Sequence, residues 1–190
     1  MTIDKKIKVN GIKSGFILGA IISALSIFYF YYVTSLVKSA ILLVAGPVFF
    51  YLFIPIFAIV FLCFDARKRV GGYWSARQAT TGIFIMFAIA YFIYLIAVNL
   101  IFYKVVEPDY LHKTQVASVA ARTNFMKQNG ADQKTIDKTI AEMNKSISNQ
   151  GDVTIGSTVL WIGIYIMFIF IFALIFGSLF KKDPPVYQAS

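Results

Sequence analysis

Four stretches of this chain contain no Asp, Glu, Lys, Arg or His: residues 14–37, 39–64, 78–103 and 153–180, each 24 to 28 residues long. A helix needs about 20 apolar residues to cross about 30 Å of hydrocarbon at 1.5 Å per residue. Each run therefore predicts one membrane-spanning helix. The first two runs are separated only by Lys38. A continuous helix over both would extend about 75 Å, far more than a bilayer. The chain is thus expected to reverse in a tight helical hairpin near residues 34–39. Composition agrees: 58% of the 190 residues are hydrophobic and 14% charged, where a soluble domain carries about 25%. The expected fold is an all-α membrane protein. It has four transmembrane helices, with a helical-hairpin extracytoplasmic loop between spans three and four, in a single domain covering residues 1–190.

The net charge of +9 does not point to nucleic acid, because the basic residues lie in short clusters flanking the apolar runs, as topology signals do. Lys5, Lys6, Lys8 and Lys13 precede the first run like the start of a signal peptide. That run is longer than the 7–15 residues of a signal core and lacks a small-residue cleavage site, so it reads as an uncleaved span. The N-tail, the 65–77 segment and the C-tail hold ten basic residues and three acidic ones, Asp4, Asp65 and Asp183. These short, densely basic segments are expected in the cytoplasm, with both termini, and the 104–152 loop outside.

The connections carry local signals. Asp65 and Arg69 are spaced to pair along a helix end. Gly71 and Gly72 break the chain, and Ser75 with Gln78 forms a capping-box pattern for the third span. Tyr29, Tyr31, Tyr32, Tyr73 and Trp74 suit headgroup layers. The loop reads as two helices over about residues 108–150. Pro108 is placed in the first turn, Asn129 and Gly130 in the turn between them, Asp132 as a cap and Gly151 as the end. The second helix has an apolar stripe of Ile136, Ile140, Met143 and Ile147. The first has a weaker one of Val116, Val119 and Met126. The stripes either pack on each other or offer a face to a partner or the outer leaflet.

The order of these features resembles domain-of-unknown-function family 4199, a group of bacterial membrane proteins. The resemblance rests on the basic N-tail, the paired first spans, the segment Gly71, Gly72, Tyr73, Trp74 and Ser75, the segment Glu107, Pro108, Asp109 and Tyr110, and the closing Lys181 and Lys182. The family's segment after the third span is typically Asp-Pro-Glu-Tyr-like; here the two acids are exchanged. The resemblance implies a bacterial inner membrane and no established activity, and it transfers no site residues.

Candidate chemistry is sparse. Proton- or ion-coupled transport usually uses an ionisable residue at membrane depth, and the four runs have none. Asn99 is the polar residue best placed for helix packing. Gly15, Gly19 and Ser23 form a small-residue face for close helix approach, within the bundle or in a homodimer. Pro47 and Pro55 are expected to kink the second span. Arg67, Lys68 and Arg69 are candidate lipid-headgroup contacts. Cys63 reads as a buried small hydrophobe, and the lone His112, three residues after Asp109, as a surface group. No motif calls for a cofactor, a metal or a catalytic residue. The expected function is a non-enzymatic structural, scaffold or accessory membrane component whose partners are the bilayer and a membrane protein or second copy. Ile136, Ile140, Met143 and Ile147 are the candidate partner surface. The alternative is a small transporter or channel subunit, with a lipid-modifying enzyme third.

Overall fold

The computed structural model describes residues 2–36, 40–148 and 155–183. Among them are α1 (Ile3–Tyr31), α2 (Ala40–Val48), α3 (Ile54–Arg69), α4 (Ala76–Tyr94), α5 (Tyr110–Gln128), α6 (Gln133–Ser148) and α7 (Ile155–Phe180), and no strand. Three stretches wind more widely, with π-type bonding: Tyr32–Leu36, Phe49–Phe53 and Leu95–Val106. Four helical segments are long and apolar enough to cross a membrane: Ile3–Ser35, Ala45–Arg69, Ala76–Val106 and Leu160–Phe180. The reversal expected around Lys38 and the helix end expected at Gly151 lie outside the described residues.

The helices outrun their apolar stretches. α1 begins at Ile3, so the basic N-tail is its first three turns. Asp4 lies in the first turn, where a negative charge complements the helix dipole, and Ile7 and Gly11 already face α4. The second span continues to Arg69, which places Arg67, Lys68 and Arg69 in its last turn. Pro55 follows the wide winding between α2 and α3, whereas Pro47 lies inside α2. Ile54 N–H donates to Phe49 O, five residues back. This loosens the turn that carries Tyr51 O, the carbonyl a Pro55 ring would strike in a regular helix. In the loop, Pro108 sits in the turn before α5 rather than in its first helical turn.

α1 and α4 run parallel from the basic end and share the most extensive interface. α7 packs on the far side of α4, and α3 on α1. The spans thus lie in the spatial order second, first, third, fourth. Small residues set the spacing. A Cβ at Gly15 would lie 2.7 Å from Ile89 Cβ and 2.8 Å from Met86 O, and one at Gly19 would lie 2.8 Å from Ile93 Cβ. Close approach is what drives association in lipid, where helices gain little from hiding apolar surface. α7 uses the same device: a Cβ at Gly177 would lie 2.2 Å from Thr80 Oγ1 and 2.9 Å from Thr80 Cα.

At the basic end the row closes into one core, which includes Ile7, Leu62, Cys63, Trp74, Ile83, Met86 and Phe180. The link from α3 to α4 is short because Gly71 and Gly72 hold φ of +108° and +85°, a region that side-chain-bearing residues rarely enter. Ser75 then caps α4 reciprocally with Gln78: Gln78 N–H donates to Ser75 Oγ at 3.3 Å, and Ser75 N–H to Gln78 Oε1 at 3.0 Å. Trp74, 3% exposed, joins this link to the end of α7. Its Nε1–H donates to Phe180 O at 2.7 Å. Its backbone exchanges two further bonds with Lys182, at 2.9 and 3.1 Å.

Candidate functional site

The other end of the molecule is built differently. α5 lies against α2 and against the wide turn that follows α1, and α6 folds back on α5. Asp132 starts α6 by accepting from Thr135 N–H at 3.3 Å and from Thr135 Oγ1 at 2.5 Å. The Thr135 hydroxyl bond is the main reason the Asp132 carboxyl is held below the usual carboxylate range. Gln115 Nε2 donates to Asn144 Oδ1 at 3.0 Å between the two helices.

The hairpin is anchored to the spans through Glu107. Tyr31 Oη donates to Glu107 Oε1 at 3.2 Å, and Lys113 Nζ pairs with Glu107 Oε2. That pairing with Lys113, ahead of the Tyr31 bond, holds the Glu107 carboxyl below its usual range and raises Lys113 above its own. The Glu107 side chain is only 13% exposed. Its partner Lys113 is 49% exposed, so solvent screens the pair and its net contribution is small. The sign is definite. A carboxyl with a lowered folded-state pKa stabilises the contact above the unfolded value and loses that contribution as pH falls through the folded value. The junction between hairpin and spans is therefore expected to loosen in acid. Protection of the 107–113 amides from hydrogen exchange, taken relative to the intrinsic rate at each pH, should fall as pH drops below the ordinary glutamate range. Glu107→Gln should show the lowered protection already at neutral pH, and unchanged protection in both would rule out this anchor.

Between the hairpin and the spans lies an open cleft of about 620 Å³. Its walls come from α1 and the turn after it (Ser26, Tyr29, Phe30, Val33), from the second span (Tyr51), from the third (Tyr103), from α5 and from Met143 of α6. Helical spacing brings Ser26, Tyr29, Phe30 and Val33 to one side of the first span. Tyr29 meets Tyr51 edge-on at 5.0 Å between ring centroids, and Tyr103 stacks on Tyr110 at 3.8 Å and 12°. Among the described lining residues none is charged; their polar groups are hydroxyls of Ser, Thr and Tyr and the Gln115 amide. Ser26 is 1% exposed, and its Oγ has no partner within hydrogen-bond geometry. The Tyr51 and Tyr94 hydroxyls approach it without reaching that geometry. Ser23 Oγ, one turn earlier, is likewise unpaired.

The residues singled out from sequence fall elsewhere. Gly15 and Gly19 face α4, and the buried Ser23 belongs to the same helix. Asn99 is half-buried in the wide winding of the third span. Arg69 pairs with Asp65 at 2.7 Å, Arg67 lies over the Phe64 ring, and Lys68 is exposed. Ile136 is 2% exposed, and Ile140 and Met143 are half-buried, so this face turns inward. The Ile147 side chain lies outside the described residues. On α5 the inward side carries Thr114, Gln115, Ser118 and Ala121, and Val116, read as part of an inner stripe, is 54% exposed. The inward set is mixed in polarity, which an apolar periodicity misses. His112 is exposed, and Lys113 rather than His112 engages the neighbouring acid. The cleft escaped the sequence reading because tyrosines near span ends look like interfacial anchors. The signal available was Ser26 and Tyr29 sharing a helix face with the small-residue stripe.

This architecture defines a four-span helical membrane protein with a helical hairpin between its last two spans. The chain matches the family described as "Protein of unknown function (DUF4199)" over residues 13–182 and belongs to that family. No curated protein and no solved structure matches it.

Proposed function

We propose that this protein is a non-enzymatic accessory or scaffold component of a bacterial inner membrane, with its termini in the cytoplasm and its hairpin outside. The observation that carries this reading is the fixed placement of the hairpin. α5 rests on the first two spans, Glu107 ties the hairpin to Tyr31, and α5 still exposes Val116 on the side away from the cleft. An apolar side chain held outward on an anchored platform favours contact with another macromolecule. In this reading the partner surface is the outer side of α5, because Ile136 is covered by the hairpin itself. The orientation rests on the basic clusters at the opposite end.

Two measurements test the proposal. In a Cys63→Ala background, a cysteine at position 130 should react with an impermeant thiol reagent in intact spheroplasts, and one at position 70 only after lysis. Reversed labelling overturns the orientation. A photoreactive residue at position 116 should crosslink in cells to a stoichiometric protein, either a second copy or a membrane partner. Adducts to lipid alone overturn the scaffold role.

A further inference from the structure

We infer that the groove between the first and second spans at the basic end is a binding site for one anionic phospholipid, with its phosphate at Lys13 and Arg69 and an acyl chain along Phe16 and Ile17. Level, charge and a two-part lining converge on that occupant.

Lys13 is the last charged residue before the apolar run of the first span. It lies about 27 Å along α1 from Tyr31, at 1.5 Å per residue, and the Tyr31 hydroxyl meets the Glu107 carboxylate at the opposite end. That distance is close to one hydrocarbon thickness, so Lys13 stands at a headgroup boundary. α3 ends at the same level. Asp65 and Arg69, from its last turns, line an open groove of about 400 Å³ together with Lys13.

Among the described lining residues the charges are Lys13, Arg69 and Asp65. Asp65 accepts from Arg69 Nε at 2.7 Å, which ties the arginine to the groove wall. A guanidinium carries more N–H donors than one carboxylate uses, so donors remain for a second acid. Lys13 is exposed and has no acid and no hydrogen-bond partner among the described residues. The lining therefore keeps a net positive charge, and Asn10 and Ser14 add an amide and a hydroxyl. Lysine as a point charge, arginine as a fork and neutral donors for the remaining oxygens are the groups that hold a phosphodiester. A zwitterionic headgroup would bring an ammonium against Lys13, and Asp65, the acid that would receive it, is already bonded to Arg69.

The rest of the lining is apolar. Phe16 and Ile17 lie three and four residues after Lys13, on the same side of α1, and are 58% and 48% exposed. They open the charge-free run, so they face hydrocarbon. A free phosphate would leave them uncovered, whereas a molecule with a negative head and an apolar tail fills both parts. Of the three basic residues closing the second span, Arg69 is the one in this groove; Arg67 lies over the Phe64 ring, and Lys68 is exposed outside the lining. Binding here depends on neither the orientation nor the partner proposed above.

The test uses the full-length protein in phosphatidylcholine nanodiscs holding a small fraction of phosphatidylglycerol with a diazirine in its acyl chain. Labelling is expected to concentrate on residues 13–17 and on α3. About a tenfold excess of unlabelled phosphatidylglycerol should lower it about tenfold by mass action, and the same excess of phosphatidylethanolamine less than about twofold. Inorganic phosphate should displace nothing; displacement by phosphate would make this a free-anion site and overturn the lipid assignment. Lys13→Gln should lower labelling about fivefold, the size expected for one basic residue at the headgroup layer. Lys8→Gln and Lys68→Gln remove the same charge from the same end outside the groove, and each should change labelling less than about twofold. An equal loss in all three variants would show diffuse attraction with no site. Equal displacement by phosphatidylethanolamine, or labelling spread evenly over the four spans, would also overturn the proposal. The competition measurement on the unaltered protein decides the matter even if a variant fails to fold.

Discussion

Replacing Gly15 by leucine is expected to separate the first and third spans and to destabilise the protein by about 3 kcal/mol or more, the upper range for overpacking a tight interface. Even a methyl group at this position meets Ile89 Cβ at 2.7 Å and the carbonyl of Met86 at 2.8 Å, and a helix carbonyl cannot step aside as a flexible side-chain tip can. The helices would have to move apart along their most extensive contact. Dispersion between closely approaching backbones, which supplies much of helix association in lipid, would be lost with that movement. The control is Gly163→Leu on α7. A Cβ there meets nothing within 4 Å, so the change should leave stability the same or improve it, since leucine favours the helix. Unfolding in mixed micelles of sodium dodecyl sulfate and a mild detergent would read both. Equal behaviour of the two variants would show that the first span contacts the third without depending on close approach.

Removing the Trp74 side chain should rank next. Trp74→Ala is expected to cost about 3–5 kcal/mol, the usual range for truncating a buried aromatic. It empties a site bounded by Ile7, Gly11, Cys63, Ala66, Val70, Ile83 and Met86, and it leaves Phe180 O without the indole donor. Trp74→Phe separates the two effects. It keeps most of the ring but loses the 2.7 Å bond to Phe180, so about 1 kcal/mol should be lost. The backbone pairing with Lys182 does not depend on the side chain. Hydrogen exchange should therefore quicken first at the Lys182 end of α7 in Trp74→Ala, and much less in Trp74→Phe. A protein indifferent to Trp74→Ala would show that the second and fourth spans do not rely on this tie.

Both variants act at packing contacts that were only partly legible beforehand. Gly15 and Gly19 stood out because small residues four apart have few uses inside an apolar run other than close approach. Gly177 did not stand out, since its need depends on Thr80 lying opposite it. Trp74 looked like a headgroup anchor by composition and position. It is instead buried, because the chain returns to it 106 residues later at Phe180. The stripe on α6 was clear from its spacing, yet spacing alone does not say whether such a face meets its own hairpin or another molecule. In this chain Ile136 is covered by the hairpin. The weak stripe read on α5 pointed to Val116, while the helix turns Thr114, Gln115 and Ser118 inward, toward a cleft that accepts polar groups.

Four charge-free runs, each longer than a bilayer is thick, leave this chain no fold other than four crossing helices, because every backbone amide in hydrocarbon must be paired within its own segment. Length, number of spans, the capping box at Ser75, the glycine turn at Gly71 and Gly72 and the hairpin signals at Asn129 and Asp132 are local properties, and local sequence determines them. Lateral order is not local. Leucine, isoleucine and phenylalanine on a span are equally content against lipid or against another helix, so hydropathy carries no information about which neighbour each span takes. Only the tertiary structure placed the first span between the second and third, joined the fourth to the third through Gly177 and Thr80, and left Ser26 unpaired at the floor of a tyrosine-lined cleft. Those outcomes follow from shape complementarity between surfaces far apart in sequence, and no single stretch of the chain encodes that.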